Sequence, residues 1–186
     1  MVDLAALWIP IVLSAVFVFV ASSVIHVALR YHESDWAKLP GEPDILAAFR
    51  KESVRPGDYA FPRPASRAEM NTPEMKNKFD QGPVGFVTII PSGPPAMGKS
   101  LILWFLYSVG VSFMAAYLSS RTLDASTHYL QVFRVVGTVA FLAYAGAVPI
   151  DSIWKGHKWS ATSKNIIDGF IYAMLTAGVF GWLWPR

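Results

Sequence analysis

Leu4–Leu29, LAALWIPIVLSAVFVFVASSVIHVAL, runs for 26 residues without an Asp, Glu, Lys or Arg. As a helix rising 1.5 Å per residue it is about 39 Å long, more than the roughly 30 Å of a bilayer's hydrocarbon core. The three residues before it, Met1, Val2 and Asp3, carry an acid and no base. The run also exceeds the roughly 7–15 apolar residues of a secretory leader, so a retained membrane helix is expected rather than a cleaved signal.

Reading outward, Ser100–Ser120 is a second uncharged run, of 21 residues. Tyr129–Ile150 is broken only by Arg134, close enough to its start to snorkel to the headgroups, and Asn165–Trp184 only by Asp168. Their fully uncharged cores are 16 residues each, slightly under the usual minimum of about 17, which leaves a shallow hairpin as the alternative for this pair. The expected fold is an all-α integral membrane protein of about four transmembrane helices. Residues 1–30 form the first helix and 31–99 a long, proline-rich, mostly irregular loop. Residues 100–186 form a three-helix bundle (100–120, 129–150, 165–184).

The composition agrees. Of 186 residues, 53% are hydrophobic and only 16% charged, against about 25% charged in an average soluble domain. There is no cysteine, which excludes disulfides, thiolate metal ligands and cysteine nucleophiles. Arg30–Lys99 holds ten of the sixteen Lys and Arg residues, and Lys155, Lys158 and Lys164 add three, leaving Arg121, Arg134 and Arg186 for the other side. The positive-inside rule then puts loops 31–99 and 151–164 in the cytoplasm and both termini outside, as expected of a multi-pass protein of a bacterial inner membrane. Trp8, Trp104, Trp182 and Trp184 fall near span ends, where an amphipathic ring is favoured.

The 31–99 loop carries nine bases and nine acids, so its net charge is zero and no nucleic-acid surface is indicated. Ten of the thirteen prolines lie in it, an argument against a regular sheet or a long helix. Short helices are expected over 43–53, with Ile45, Leu46 and Phe49 on one side, and from Pro73, capped by Thr72. Residues 82–90 read as an extended apolar segment. The aromatic residues of the whole 31–99 loop, among them Trp36, Tyr59, Phe79 and Phe86, suit a segment that orders by lying on a partner; the competing reading is a partly disordered linker.

Gly93–Ser100 fits the phosphate-loop pattern G-x-x-x-x-G-K-[ST] letter for letter. A working phosphate loop needs backbone N–H groups curling round the phosphate and a helix packed on a sheet. Pro94 and Pro95 delete two of those donors, and the helix that follows is a membrane span. Nucleotide binding is therefore not expected.

Among the four histidines, His26 lies near the inner end of span one and is the candidate cofactor-binding residue, able to ligate a haem or (bacterio)chlorophyll metal. The competing reading is an interfacial histidine bonded to a carbonyl or headgroup. No metal site, and no required cofactor, is expected otherwise. Arg30, Asp151, Lys155, His157, Lys164 and Asp168 fall at the same depth and form an expected interfacial polar cluster, either a docking site or ion pairing that closes the bundle. No ionisable group stands at the middle of a span, which argues against ion-coupled transport, and no catalytic constellation is evident, so no enzymatic activity is expected. Gly137, Ala140, Ala143 and Ala147 in span three, with Ala173, Ala177 and Gly181 in span four, are the expected helix-packing positions, because small residues let helices approach closely in lipid.

These features lead to a non-catalytic accessory or assembly subunit of a larger membrane complex, respiratory or photosynthetic. Its expected partners are the bilayer and other subunits, met through the 31–99 loop and the small-residue faces. The alternatives are a haem- or pigment-binding protein using His26 and a small channel for an uncharged solute.

Overall fold

Pro10 sits in the first turn of helix α1 (Trp8–Ser23), where its missing N–H costs nothing. A 3₁₀ turn, Leu4–Leu7, precedes it, started by the Asp3 carboxylate accepting from the Ala5 N–H at 3.0 Å. The helix ends in one widened turn, Val24–Ala28, in which the Leu29 N–H donates to the Val24 carbonyl five residues back. Arg30 then adopts a left-handed conformation (φ 52°) and the chain reverses. The computed structural model describes residues 1–185; Arg186, counted above on the outer side, lies outside them.

The remaining elements are α2 (Glu42–Lys51), β1 (Gly57–Phe61), α3 (Pro73–Gln81), β2 (Gly85–Ile89), α4 (Met97–Thr122), α5 (Tyr129–Ala145), α6 (Pro149–Lys155) and α7 (Trp159–Trp182). The chain divides into two units. One combines Met1–Trp36 with Ala96–Arg186, and the other is Ala37–Pro95. The protein is mostly helical, and three stretches are long and apolar enough to cross a membrane: Leu4–Ala28, Met97–Thr122 and Tyr129–Lys155.

In the first unit α1, α4, α5 and α7 form a bundle, with α7 packed against both α1 and α5. Three close approaches set the antiparallel α5–α7 pair. A Cβ on Gly181 would fall 2.6 Å from the Tyr129 ring, one on Gly137 3.2 Å from Ala177 Cβ, and one on Gly169 2.9 Å from Ala145 Cβ. Ala140, Ala173 and Ala177 are fully buried in the same bundle. Ala143 and Ala147 are exposed instead. Ala143 turns toward α4, its carbonyl accepting from the Tyr107 hydroxyl at 2.7 Å, and Ala147 lies past the end of the helix. The expected single helix over 129–150 is in fact two. Pro149 has no N–H to return to Ala145, so the ladder stops and α6 restarts from the proline. One end of the bundle is closed by an apolar cluster that includes Leu7, Ile11, Val132, Val136 and Phe180.

The second unit holds the two expected short helices and a sheet that the proline count argued against. Strands β1 and β2 pair antiparallel, with Gly57 opposite Ile89 and Phe61 opposite Gly85. The prolines do not interrupt the ladder because Pro56 and Pro62 flank β1, while Pro83 and Pro91 stand outside β2. Thr72 caps α3, its hydroxyl accepting from the Met75 N–H at 3.2 Å. Met75 is the buried hydrophobic residue of this unit among the described residues.

Candidate functional site

The widened turn and the reversal at Arg30 bring two histidines together. His26 lies inside the turn, and His32 folds back over it with the two imidazoles stacked at 4.6 Å between centroids and 5° between planes. Wide turns of this kind recur at functional sites, and a non-glycine residue held at positive φ is a local cost that surrounding contacts must offset.

Here those contacts are polar. The His26 Nδ1–H donates to the Ser22 carbonyl at 3.0 Å, which leaves Nε2 with the free lone pair. His32 is gripped from both sides. Its Nδ1 is hydrogen-bonded to Asp35 Oδ2 at 2.7 Å and its Nε2 to Asp168 Oδ2 at 2.8 Å. The other Asp168 oxygen accepts from the Tyr31 hydroxyl. Lys164 Nζ then donates to Asp35 Oδ1 at 2.6 Å, the Tyr31 carbonyl at 2.6 Å and Ser34 Oγ at 2.8 Å. Its ammonium is the main reason the Asp35 carboxyl is held below the usual carboxylate range, against a penalty from burial that the weaker His32 contact helps to offset. Asp168 is 3% exposed, so its two partners replace nearly all of its water. One donor atom from each of His26, His32 and Asp168 lies within 4.8 Å of the others.

His26 and Asp168 also stand in the wall of a cavity of about 620 Å³ among α1, α4, α5 and α7. The wall is mostly aromatic and apolar, built around Trp104, Tyr107, Tyr144 and Tyr172, whose ring centroids lie 5.5–6.1 Å from their neighbours. Trp104 Nε1–H donates to Ser22 Oγ at 2.8 Å. The Tyr172 hydroxyl is buried in that wall with no hydrogen-bond partner, and the Tyr144 hydroxyl is buried beside the Ser108 and Thr176 side chains. Val27, Met97 and Leu101 line the same cavity and are 76%, 67% and 45% exposed, so it opens on the apolar outer surface of the bundle. On the other side of His26 is a second cavity of about 600 Å³, reaching His32, Asp35, Asp151 and His157.

The expected interfacial cluster thus separates. Lys164 and Asp168 join the histidine site. Asp151 and Lys155 pair with each other at 2.8 Å on α6. Arg30 reaches Glu33 at 3.7 Å, and His157 faces the second cavity. Lys99 and Ser100 of the phosphate-loop match lie in the first turn of α4, where the Ser100 hydroxyl donates to the Ala96 carbonyl at 3.5 Å. Sequence reasoning missed Tyr31, His32 and Asp35, because it placed them in the loop. The signal was the short step from His26 to His32 across a helix end. Stacked rings 4.6 Å apart leave no room for a macrocycle between them, so the two histidines do not form opposite axial ligands of one haem.

In comparisons with family models, curated proteins and solved structures, the chain gives no significant match to any.

Proposed function

We propose that this chain is a four-span accessory subunit of a membrane complex that holds a lipid-soluble molecule with a flat, oxygen-bearing head, of the quinone class, in the cavity beside His26. The cavity carries this reading. Its volume suits a small ring and the start of a tail, its aromatic wall suits stacking, and the His26 Nε2 lone pair at its polar end would accept from the hydroxyl of a reduced head. The mouth at Val27, Met97 and Leu101 gives a tail a route to the acyl chains, and the Tyr172 hydroxyl supplies a donor that a bound oxygen or water would satisfy.

The fourth span in this reading is α7. Its 24 residues rise about 36 Å, enough to cross, and it lies alongside two of the three apolar stretches. Ten of its residues are buried, Asp168 among them, so it needs less lipid-facing apolarity than its neighbours. The Lys and Arg asymmetry favours the cytoplasmic side for the His26 end and the outside for both termini. A subunit role is supported by the low burial of the three apolar stretches, 22–33%, and by exposed Tyr59, Phe61 and Phe86 in the second unit. These surfaces fit lipid and further subunits.

The test is equilibrium binding of decyl-benzoquinone to the purified protein in nanodiscs, with decylbenzene as the control that has a ring and tail but no oxygen. The expected result is saturable binding of one molecule per chain that decylbenzene does not displace, lost in Val148→Trp, which fills the cavity without removing a polar group. Uptake that tracks lipid content alone, equal in both proteins, would refute it.

A further inference from the structure

We propose that His26, His32 and Asp168 form a binding site for a divalent first-row transition-metal ion. This goes beyond the cavity reading and does not rest on it, since the three donors would hold an ion whether or not a lipid-borne ring lies beside them.

The first support is distance. Donors bound to one such ion at about 2.0–2.2 Å can be no more than about 4.4 Å apart, even on opposite sides of it. The three donor atoms here already lie within 4.8 Å, and since the two imidazoles are stacked with their planes 5° apart, one ring must turn out of the stack to aim its lone pair at a shared ion. The second is orientation. Metal-bound histidines nearly always donate their other ring N–H to a carbonyl or carboxylate, which fixes the tautomer and aims the free nitrogen. Both histidines have that anchor, His26 on the Ser22 carbonyl and His32 on Asp35. The anchors are themselves held, Ser22 within helical backbone and Asp35 by Lys164. Tyr31 occupies the outer oxygen of Asp168 and leaves Oδ2 on the His32 side, where a metal would replace the proton now shared with His32 Nε2.

The donor set selects the kind of ion. Two imidazoles and one carboxylate disfavour Mg²⁺ and Ca²⁺, which take oxygen ligands. A chain without cysteine has no thiolate to draw softer ions. Two imidazoles with one carboxylate and open positions suit Zn²⁺, Fe²⁺ or Co²⁺. His26 lines both cavities, so the open positions face them.

Co²⁺ is the probe, because its visible ligand-field bands report coordination directly. Chelator-stripped full-length protein in detergent should bind one Co²⁺ per chain with saturable bands that one equivalent of Zn²⁺ displaces. His26→Ala, which removes the ring bonded to Ser22 and stacked on His32, should abolish the bands while circular dichroism and elution volume stay unchanged. Asp168→Asn, which keeps an acceptor for Tyr31, should abolish them too. Asp35→Asn should weaken binding by about 10–100-fold, the usual effect of losing an outer anchor. His128→Ala, at the far end of the bundle, should match the parent protein. No saturable bands in the parent, or bands that survive in folded His26→Ala, would overturn the proposal.

Discussion

Replacing Gly169 by alanine drives a methyl group into a wall that cannot yield. The new Cβ would stand 2.9 Å from Ala145 Cβ, 3.2 Å from the Tyr144 carbonyl carbon and 3.3 Å from the Ala145 nitrogen. Carbon pairs are comfortable at about 3.5–4.0 Å, so α5 and α7 must part by roughly half an ångström along a close seam. Overpacking of this kind costs about 1–3 kcal/mol. Against it stands the roughly 1 kcal/mol by which alanine exceeds glycine in a helix interior. The control is Gly110→Ala in α4, where nothing lies within 4 Å of the added carbon. Helix propensity is common to both substitutions, so their difference isolates the seam: Gly169→Ala should be less stable than Gly110→Ala by about 1–3 kcal/mol. Steric unfolding with SDS in mixed micelles, followed by circular dichroism, measures that difference. Ala145→Gly added to Gly169→Ala should recover part of it, since the backbone at Tyr144 still crowds the site. Equal stability of the two single variants, within about 0.5 kcal/mol, would refute the α5–α7 packing described here.

Lys164→Met and Asp35→Asn should not be additive. Their ion pair at 2.6 Å is partly sheltered, with side chains 22% and 10% exposed, and a charge-assisted bond of this kind is worth about 1.5–3 kcal/mol, which a double-mutant cycle would read as coupling. The sign of the pH dependence follows from the lowered Asp35 carboxyl. The fold favours its ionised form, so the stabilisation is complete above the ordinary carboxylate range and fades as pH falls through the folded value. Thermal melts should show that acid loss shrinking in Asp35→Asn; an unchanged profile would exclude the Lys164 contact as its source. A chain with no cysteine also makes topology direct to measure. A single cysteine at Ser126 should react with impermeant maleimide on intact spheroplasts, whereas one at Lys158 should react only after lysis, and labelling of both from one side would contradict the α5 crossing.

The apolar stretches were legible because lipid imposes a simple condition, about twenty uncharged residues in a row, and Leu4–Leu29 and Ser100–Ser120 satisfy it without interruption. The α5–α7 seam was half legible. Gly137, Ala177 and Gly181 stood out by size and spacing, but which alanines face the partner depends on where the helix stops, and Pro149 moved Ala147 off the helix. The sheet was hidden because a proline count ignores position, and here the prolines bracket the strands. Half of the histidine site was visible as depth-matched residues, Lys164 and Asp168 with His26. The rest was not, because Tyr31, His32 and Asp35 reach it through a five-residue hydrogen bond and a left-handed Arg30, conformations no periodicity encodes.

Photolabelling with an azido-decyl-benzoquinone, read by peptide mass spectrometry, tests the central claim most directly. Saturable label should concentrate on peptides carrying Trp104, Tyr107, Tyr144 and Tyr172 and be suppressed by unlabelled decyl-benzoquinone. Label spread instead over the exposed Leu106, Phe113 and Phe170, with no protection by competitor, would contradict it.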